Sequence, residues 1–134
     1  MRIVATKNLD IDREQAYARI DREVGEVRAL FITISPGQEL VYQQKYAEAV
    51  KVRDNLLLDD DDVPHLAAEA AFRKMKLSDL ALLIIDKDRR WRTASSQIEV
   101  LRLDGKRSVA QAVSPAAIHE AAEIDWKPIT ALAK

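Results

Sequence analysis

The feature that most constrains the fold of this chain is a long apolar seam between Leu77 and Val113. If Leu77 is heptad position a, positions a and d are mostly apolar, and the intervals between them alternate four and three residues. This spacing predicts a helix that packs lengthwise against other helices, because a strand would show a period of two. The seam consists of Leu77, Leu80, Ile84, Lys87, Trp91, Ala94, Ile98, Leu101, Gly105, Ser108 and Ala112.

The apolar face is wider than this seam. Leu82, Leu83, Ile85, Val100, Leu103 and Val109 lie beside it, more than a pair of helices needs, which favours a bundle or an oligomer. A glycine costs about 1 kcal/mol relative to Ala inside a helix. Two interpretations of Gly105 therefore stay open: the helix is continuous through it, or the helix bends or breaks there. A continuous helix would be about 55 Å long at about 1.5 Å per residue, which predicts an elongated protein.

Composition supports an all-α fold and excludes several functions. Three Gly, four Pro and 5% aromatic residues beside 32% charged residues are typical of helical bundles. With 21 basic and 22 acidic residues, no overall field attracts nucleic acid or an anionic membrane. The absence of cysteine excludes disulfides and thiolate chemistry. No apolar run approaches a signal peptide or the ~20 residues of a membrane span, so we expect a protein made in the cytoplasm.

The amino-terminal part predicts a helical hairpin over residues 10–57. Its first helix has Asn8 or Asp10 as cap and a four–three seam through Tyr17, Ile20, Val24, Val27, Phe31 and Ile34. Residues 1–9, which include Ile3 and Val4, are either a short strand or arm that contacts a partner, or a frayed terminus.

The second helix is expected from about Pro36 to Leu56. Ser35 and Pro36 fit a capping box with proline at the first helical position. We expect Leu40, Ala47 and Val50 on its buried face.

Two further segments complete a single domain over residues 1–134. A short helix from about Pro64 precedes the long one within 63–113, and a last helix covers 115–132, with Ser114 as cap and Pro128 as a limit or a kink. The run from Asp59 to Asp62 is either a calcium-binding loop or a solvated loop before a helix. Because it lacks the alternating ligand spacing and glycine of an EF-hand, we prefer the solvated loop.

Nothing in the sequence predicts catalysis, a metal site or a cofactor. His65 and His119 lie on different predicted helices without a partner at metal-binding spacing. The serines have no nucleophile-elbow context, and glycine is too scarce for a phosphate-binding loop.

A basic stretch between Asp86 and Arg107 could bind nucleic acid. It contains seven basic residues and Trp91, but four acidic residues are interleaved with them. We therefore prefer a solvated helical face. Trp91 and Trp126 are interpreted as core or interface anchors.

Two sets of residues carry a resemblance to a known group of proteins. They are Trp91, Ile98-Glu99, Arg102-Leu103, Lys106, Val109, Ala112 and Trp126, and Phe31-Ile32-Thr33, Pro36-Gly37-Gln38, Tyr42, Lys45 and Ala47. In these residues the chain resembles a loosely defined group of short bacteriophage tail-region proteins. The resemblance implies a virion-associated tail protein made in the bacterial host, without assigned catalytic residues.

We therefore expect an all-α, elongated bundle of about five helices around one long central helix with coiled-coil-like packing. The expected function is a non-catalytic structural role in a phage tail, in a homo-oligomer that also contacts other tail proteins. The alternatives are a tail assembly chaperone absent from the mature virion and a small nucleic-acid-binding regulator. The predicted contact residues are Ile3, Val4, Trp91, Ile98, Leu101 and Trp126.

Overall fold

The computed structural model describes residues 2–32, 37–55 and 57–133, with side chains from residue 9 onward. Within these residues the chain forms six α-helices and no β-strand, which confirms the predicted all-α fold with one long helix. None of the described helices is both long and apolar enough to cross a membrane. The helices are α1 (Arg2–Arg28), α2 (Gln38–Asp54), α3 (Pro64–Arg73), α4 (Leu77–Gln111), α5 (Pro115–Ala121) and α6 (Lys127–Thr130).

The described residues are organised as two compact units. The first unit comprises the described parts of 1–32 and 93–134, and thus contains α1, the carboxy-terminal part of α4, α5 and α6. The second unit lies within 33–92 and contains α2, α3 and the amino-terminal part of α4. The two helices of the predicted hairpin therefore belong to different units.

The core of the first unit forms where α1, α4 and the carboxy-terminal helices bury their apolar faces. Its fully or nearly fully buried side chains are Ala16, Ile20, Val24, Val27, Ala94, Ile98, Val109, Ile118, Ala122 and Ile129. The α1 seam is confirmed at Ile20, Val24 and Val27.

Gly105 lies inside α4, which is continuous through this position. A Cβ atom there would lie 2.8 Å from Ile124 Cδ1 and 3.3 Å from Ile20 Cδ1. The missing side chain thus admits two isoleucines to the helix surface.

The core of the second unit joins α2, α3 and the start of α4. It contains Ala49, Val52, Val63, Leu66, Ala70, Leu80, Ala81, Ile84 and Ile85. The predicted buried face of α2 is wrong at Leu40, which is 66% exposed, and at Ala47, which is exposed. The buried face instead carries Glu48, Ala49 and Val52, and a charged residue on that face disrupts the apolar pattern by which it would be recognised.

The amino terminus is helical rather than a strand. Helix α1 begins at Arg2 and continues through the expected caps Asn8 and Asp10, because no proline or glycine interrupts the chain there. The side chains of Ile3 and Val4 lie outside the described residues.

The turn between the first two helices is only partly described. Ile34, Ser35 and Pro36, which carry the predicted end of the first helix and the cap of the second, lie outside the described residues. Gly37 precedes α2 with φ of 83°, a left-handed conformation that glycine adopts without steric cost.

The carboxy-terminal helix is divided, contrary to the predicted helix over 115–132. The predicted cap is confirmed, because Ser114 Oγ accepts a hydrogen bond from the backbone N–H of Ala117 at 3.1 Å. Helix α5 ends at Ala121, and α6 begins at Lys127, whose N–H donates to Asp125 Oδ1 at 3.0 Å. Asp125 thus supports a new turn before Pro128, where a continuous helix would lose a backbone hydrogen bond.

Candidate functional site

The predicted contact residues occupy different environments. Ile98 is fully buried, so its side chain packs inside the first unit rather than at a surface. Leu101 and Trp126 are half-buried in the same unit, whereas Trp91 is half-buried in the second unit. Leu101 and Trp126 therefore belong to one unit, and Trp91 belongs to the other.

Leu101 lines an open groove beside α6. The groove has a volume of about 370 Å³, and its wall is mainly apolar. Two of its polar groups are engaged within the chain: Ser96 Oγ donates to the Thr93 carbonyl oxygen, and Asp125 accepts the Lys127 N–H. The lining residues are Ser96, Gln97, Val100, Leu101, Asp125, Pro128 and Ile129.

Next to the groove, α4 presents an outward apolar face. Val100 is 64% exposed and Leu103 is 55% exposed, and both are large aliphatic side chains. Val100 belongs to the groove as well, so groove and outward face form one continuous surface. We call this combination the α4 surface. Contiguous exposed apolar area of this kind is a feature of binding surfaces, whereas single exposed leucines are common everywhere.

Ion pairs between α1 and α4 border the α4 surface. Glu99 accepts a hydrogen bond from Arg102 at 2.9 Å and lies 3.7 Å from Arg28. Lys106 donates to Asp21 at 2.9 Å, and this hydrogen bond is the largest influence that holds the pKa of Asp21 below its ordinary value. These partly exposed pairs fix the orientation of α1 on α4 more than they add stability.

Trp126 anchors the segment that forms the far wall of the groove. Its indole N–H donates to Glu23 Oε1 at 2.9 Å. Burial raises the pKa of Glu23, but hydrogen bonds from Trp126 and Arg19 lower it more, so that it lies below its ordinary value. An ionised Glu23 therefore holds Trp126, and through it the start of α6, against α1.

Glu48 forms a buried polar link in the second unit that was not predicted from the sequence. Glu48 is 7% exposed, and its Oε1 accepts the backbone N–H of Leu66 at 3.0 Å in the first turn of α3. Its Oε2 lies 2.6 Å from His65 Nδ1. Glu48 thus caps α3 from α2, as an N-cap side chain would. A Glu in the middle of one helix gives no local signal that it will cap another.

The aspartate run forms a 3₁₀ turn over Asp60–Asp62. The Asp62 carboxyl accepts the Asp59 N–H at 3.1 Å, and the Asp59 carboxyl accepts a backbone N–H in return. Across the described part of the chain, no group of three or more His, Asp or Glu residues is arranged to hold a metal ion. The aspartates therefore support the turn that leads into α3.

The basic stretch on α4 is largely engaged within the chain. In the second unit, Arg90 pairs with Asp86 at 3.1 Å and Arg92 with Asp88 at 2.7 Å. The Arg92 guanidinium also lies 4.8 Å from the centre of the Tyr46 ring. Arg90 and Arg92 are therefore paired with acidic neighbours one helical turn away.

Comparisons of the chain with protein-family models, with curated proteins and with solved structures find no match.

Proposed function

We propose that this protein is a non-catalytic structural component of a bacteriophage tail, acting through helix-mediated contacts with other copies of itself and with other tail proteins. The observation that carries the proposal is the α4 surface, where Val100 and Leu103 are exposed beside an apolar groove. The placement in a phage tail rests on the resemblance of the chain to tail-region proteins.

The chemistry of the α4 surface favours binding over catalysis. Its wall is mainly apolar, and the polar groups of Ser96 and Asp125 are used by backbone atoms of the same chain. A groove of this type suits an apolar anchor from a protein partner, with affinity from buried area.

Purified virions test the proposed function. A band at 15.1 kDa in fixed stoichiometry to known tail proteins is expected if the protein is a structural component. Its absence from mature virions, with association to tail proteins during assembly, would instead favour an assembly chaperone. Two phages, one carrying Leu103→Asp and the other Leu82→Asp, distinguish loss of the α4 surface from a general effect of an added charge on α4. Both leucines are exposed on α4, but only Leu103 belongs to the α4 surface.

Nucleic-acid binding is the remaining alternative and has a separate test. A regulator that binds the phosphate backbone would bind DNA or RNA at low salt, and its affinity would fall steeply as the salt concentration rises to the physiological value. We expect no such binding, because Arg90 and Arg92 already pair with neighbouring aspartates.

A further inference from the structure

The outward face of α4 has a self-complementary pattern centred on Leu103. Four residues before Leu103 stands Glu99, and four residues after it stands Arg107. Seven residues away on either side are the small residues Ser96 and Ala110. Positions separated by three, four and seven residues share one face of a helix, so these five residues form one stripe.

This stripe is accessible in the structure. Leu103, Arg107, Ser96 and Ala110 are exposed, and Glu99 is half-buried. The Arg107 side chain is 70% exposed and is held by Asp104, its neighbour on α4, at 2.6 Å. The face opposite the stripe is the one that carries Ile98 and Val109 into the core of the first unit.

We propose that the stripe pairs with the same stripe of a second copy, as an antiparallel two-fold helix pair centred on Leu103. This inference rests on the proposed oligomeric role and specifies its partner and register. In an isologous contact, a residue n positions before the centre meets the residue n positions after it. Glu99 of each copy then stands at the height of Arg107 of the other.

Charge decides in favour of the antiparallel arrangement. The two-fold operation produces two Glu99–Arg107 pairs, each between a negative and a positive side chain. Such pairs set partner choice and orientation between helices. A parallel pair in register would instead place Glu99 beside Glu99 and Arg107 beside Arg107, which is repulsive.

Side-chain size favours the same register. Ser96 of each copy meets Ala110 of the other, so small residues at both ends allow the helices to approach closely. Leu103 meets Leu103 at the centre, and Val100 covers the flank next to the groove. The exposed apolar side chains of the α4 surface are thereby removed from water.

The absence of native cysteine makes disulfide cross-linking a direct test. Under mild oxidation, Leu103→Cys is expected to form a covalent dimer, because residues on the two-fold axis are adjacent. An equimolar mixture of Ser96→Cys and Ala110→Cys is expected to form the heterodimer, and Ser96→Cys alone is not. Val113→Cys, at an exposed position outside the stripe, is the control and is expected to form no covalent dimer under the same oxidation.

Charge reversal gives a second, non-covalent test by light scattering at several protein concentrations. Arg107→Glu is expected to weaken the dimer about tenfold or more, since it converts two attractions into two repulsions. Adding Glu99→Arg to it is expected to restore the affinity to within about threefold, whereas Leu82→Asp on the same helix leaves it unchanged. Circular dichroism of each variant checks that the helices are intact.

The outcomes separate this inference from the proposed function. Cross-linking of Ser96→Cys with itself, or no rescue by the double reversal in a folded variant, would overturn the antiparallel register. A monomer at every concentration would overturn the pairing itself, while a stoichiometric band in virions would still support the tail role. An oligomer that Leu103→Cys fails to cross-link would retain the oligomeric role and overturn the stripe.

Discussion

Replacement of Glu48 tests the link between α2 and α3. In Glu48→Ala, the buried N–H of Leu66 loses its acceptor, which costs about 1 to 3 kcal/mol. Loss of the hydrogen bond with His65 adds about 1 kcal/mol to this cost, whereas the better helix propensity of Ala offsets only a few tenths of a kcal/mol. We therefore expect the free energy of unfolding of the second unit to fall by about 2 to 4 kcal/mol.

Glu48→Gln separates capping from simple packing. The amide oxygen can still accept from the Leu66 N–H, and the amide nitrogen can donate to Nδ1 of a neutral His65 ring. This variant keeps both contacts and nearly the same side-chain volume, so its free energy of unfolding is expected to fall by about 1 kcal/mol or less.

The two tryptophans make the measurement specific for one unit. Trp91 lies in the second unit and Trp126 in the first, so urea denaturation in a Trp126→Phe background follows the fluorescence of the second unit alone. Gln44→Ala, at an exposed position of α2, controls for helix propensity. Two results would refute the capping role: an equal decrease in the free energy of unfolding in Glu48→Ala and Glu48→Gln, or a decrease below about 0.5 kcal/mol in Glu48→Ala.

Three further predictions concern the first unit. Gly105→Val is expected to cost about 1 to 3 kcal/mol by overpacking against Ile124 and Ile20, measured by thermal unfolding, and an unchanged stability would show that both isoleucines move freely. Trp126→Phe is expected to cost about 1.5 to 3 kcal/mol in urea denaturation followed by circular dichroism, because Glu23 loses its indole donor, and a neutral effect would contradict the anchor. The carboxyl pKa values of Asp21 and Glu23 are lowered by folding, so their stabilisation is complete above the unfolded values near 4 and is lost as the pH falls through the folded values. The free energy of unfolding, measured by urea denaturation from pH 5 down to pH 3, is therefore expected to depend less on pH in Asp21→Asn than in the unaltered chain. If the free energies of the two proteins fall in parallel, Asp21 does not contribute to the pH dependence.

Apolar spacing predicted the long helix well. Leu80, Ile84, Ala94 and Ile98 are buried as the four–three seam requires, because along a helix this spacing keeps side chains on one face. The start of α5 was equally predictable, since Ser114 and Pro115 act on the backbone beside them.

Other features could not be predicted, because the apolar pattern was weak there or the partner that decides burial is distant along the chain. The buried face of α2 was misassigned because Glu48 lies on it, and only His65 and Leu66 from another helix make that burial tolerable. The break between α5 and α6 depends on Asp125 and on packing of Ile129, which periodicity does not register.

The sequence by itself determined the helical class, the long α4 and the local cap at Ser114, because these follow from contacts within a few residues along the chain. Tertiary structure alone decided that Val109 is core while Val100 and Leu103 are exposed, although all three are aliphatic residues beside the seam of one helix. It also decided that Gly105 is a contact point for Ile20 and Ile124 rather than a break in α4. Burial depends on which helices pack around a given face, and those neighbours come from distant parts of the chain.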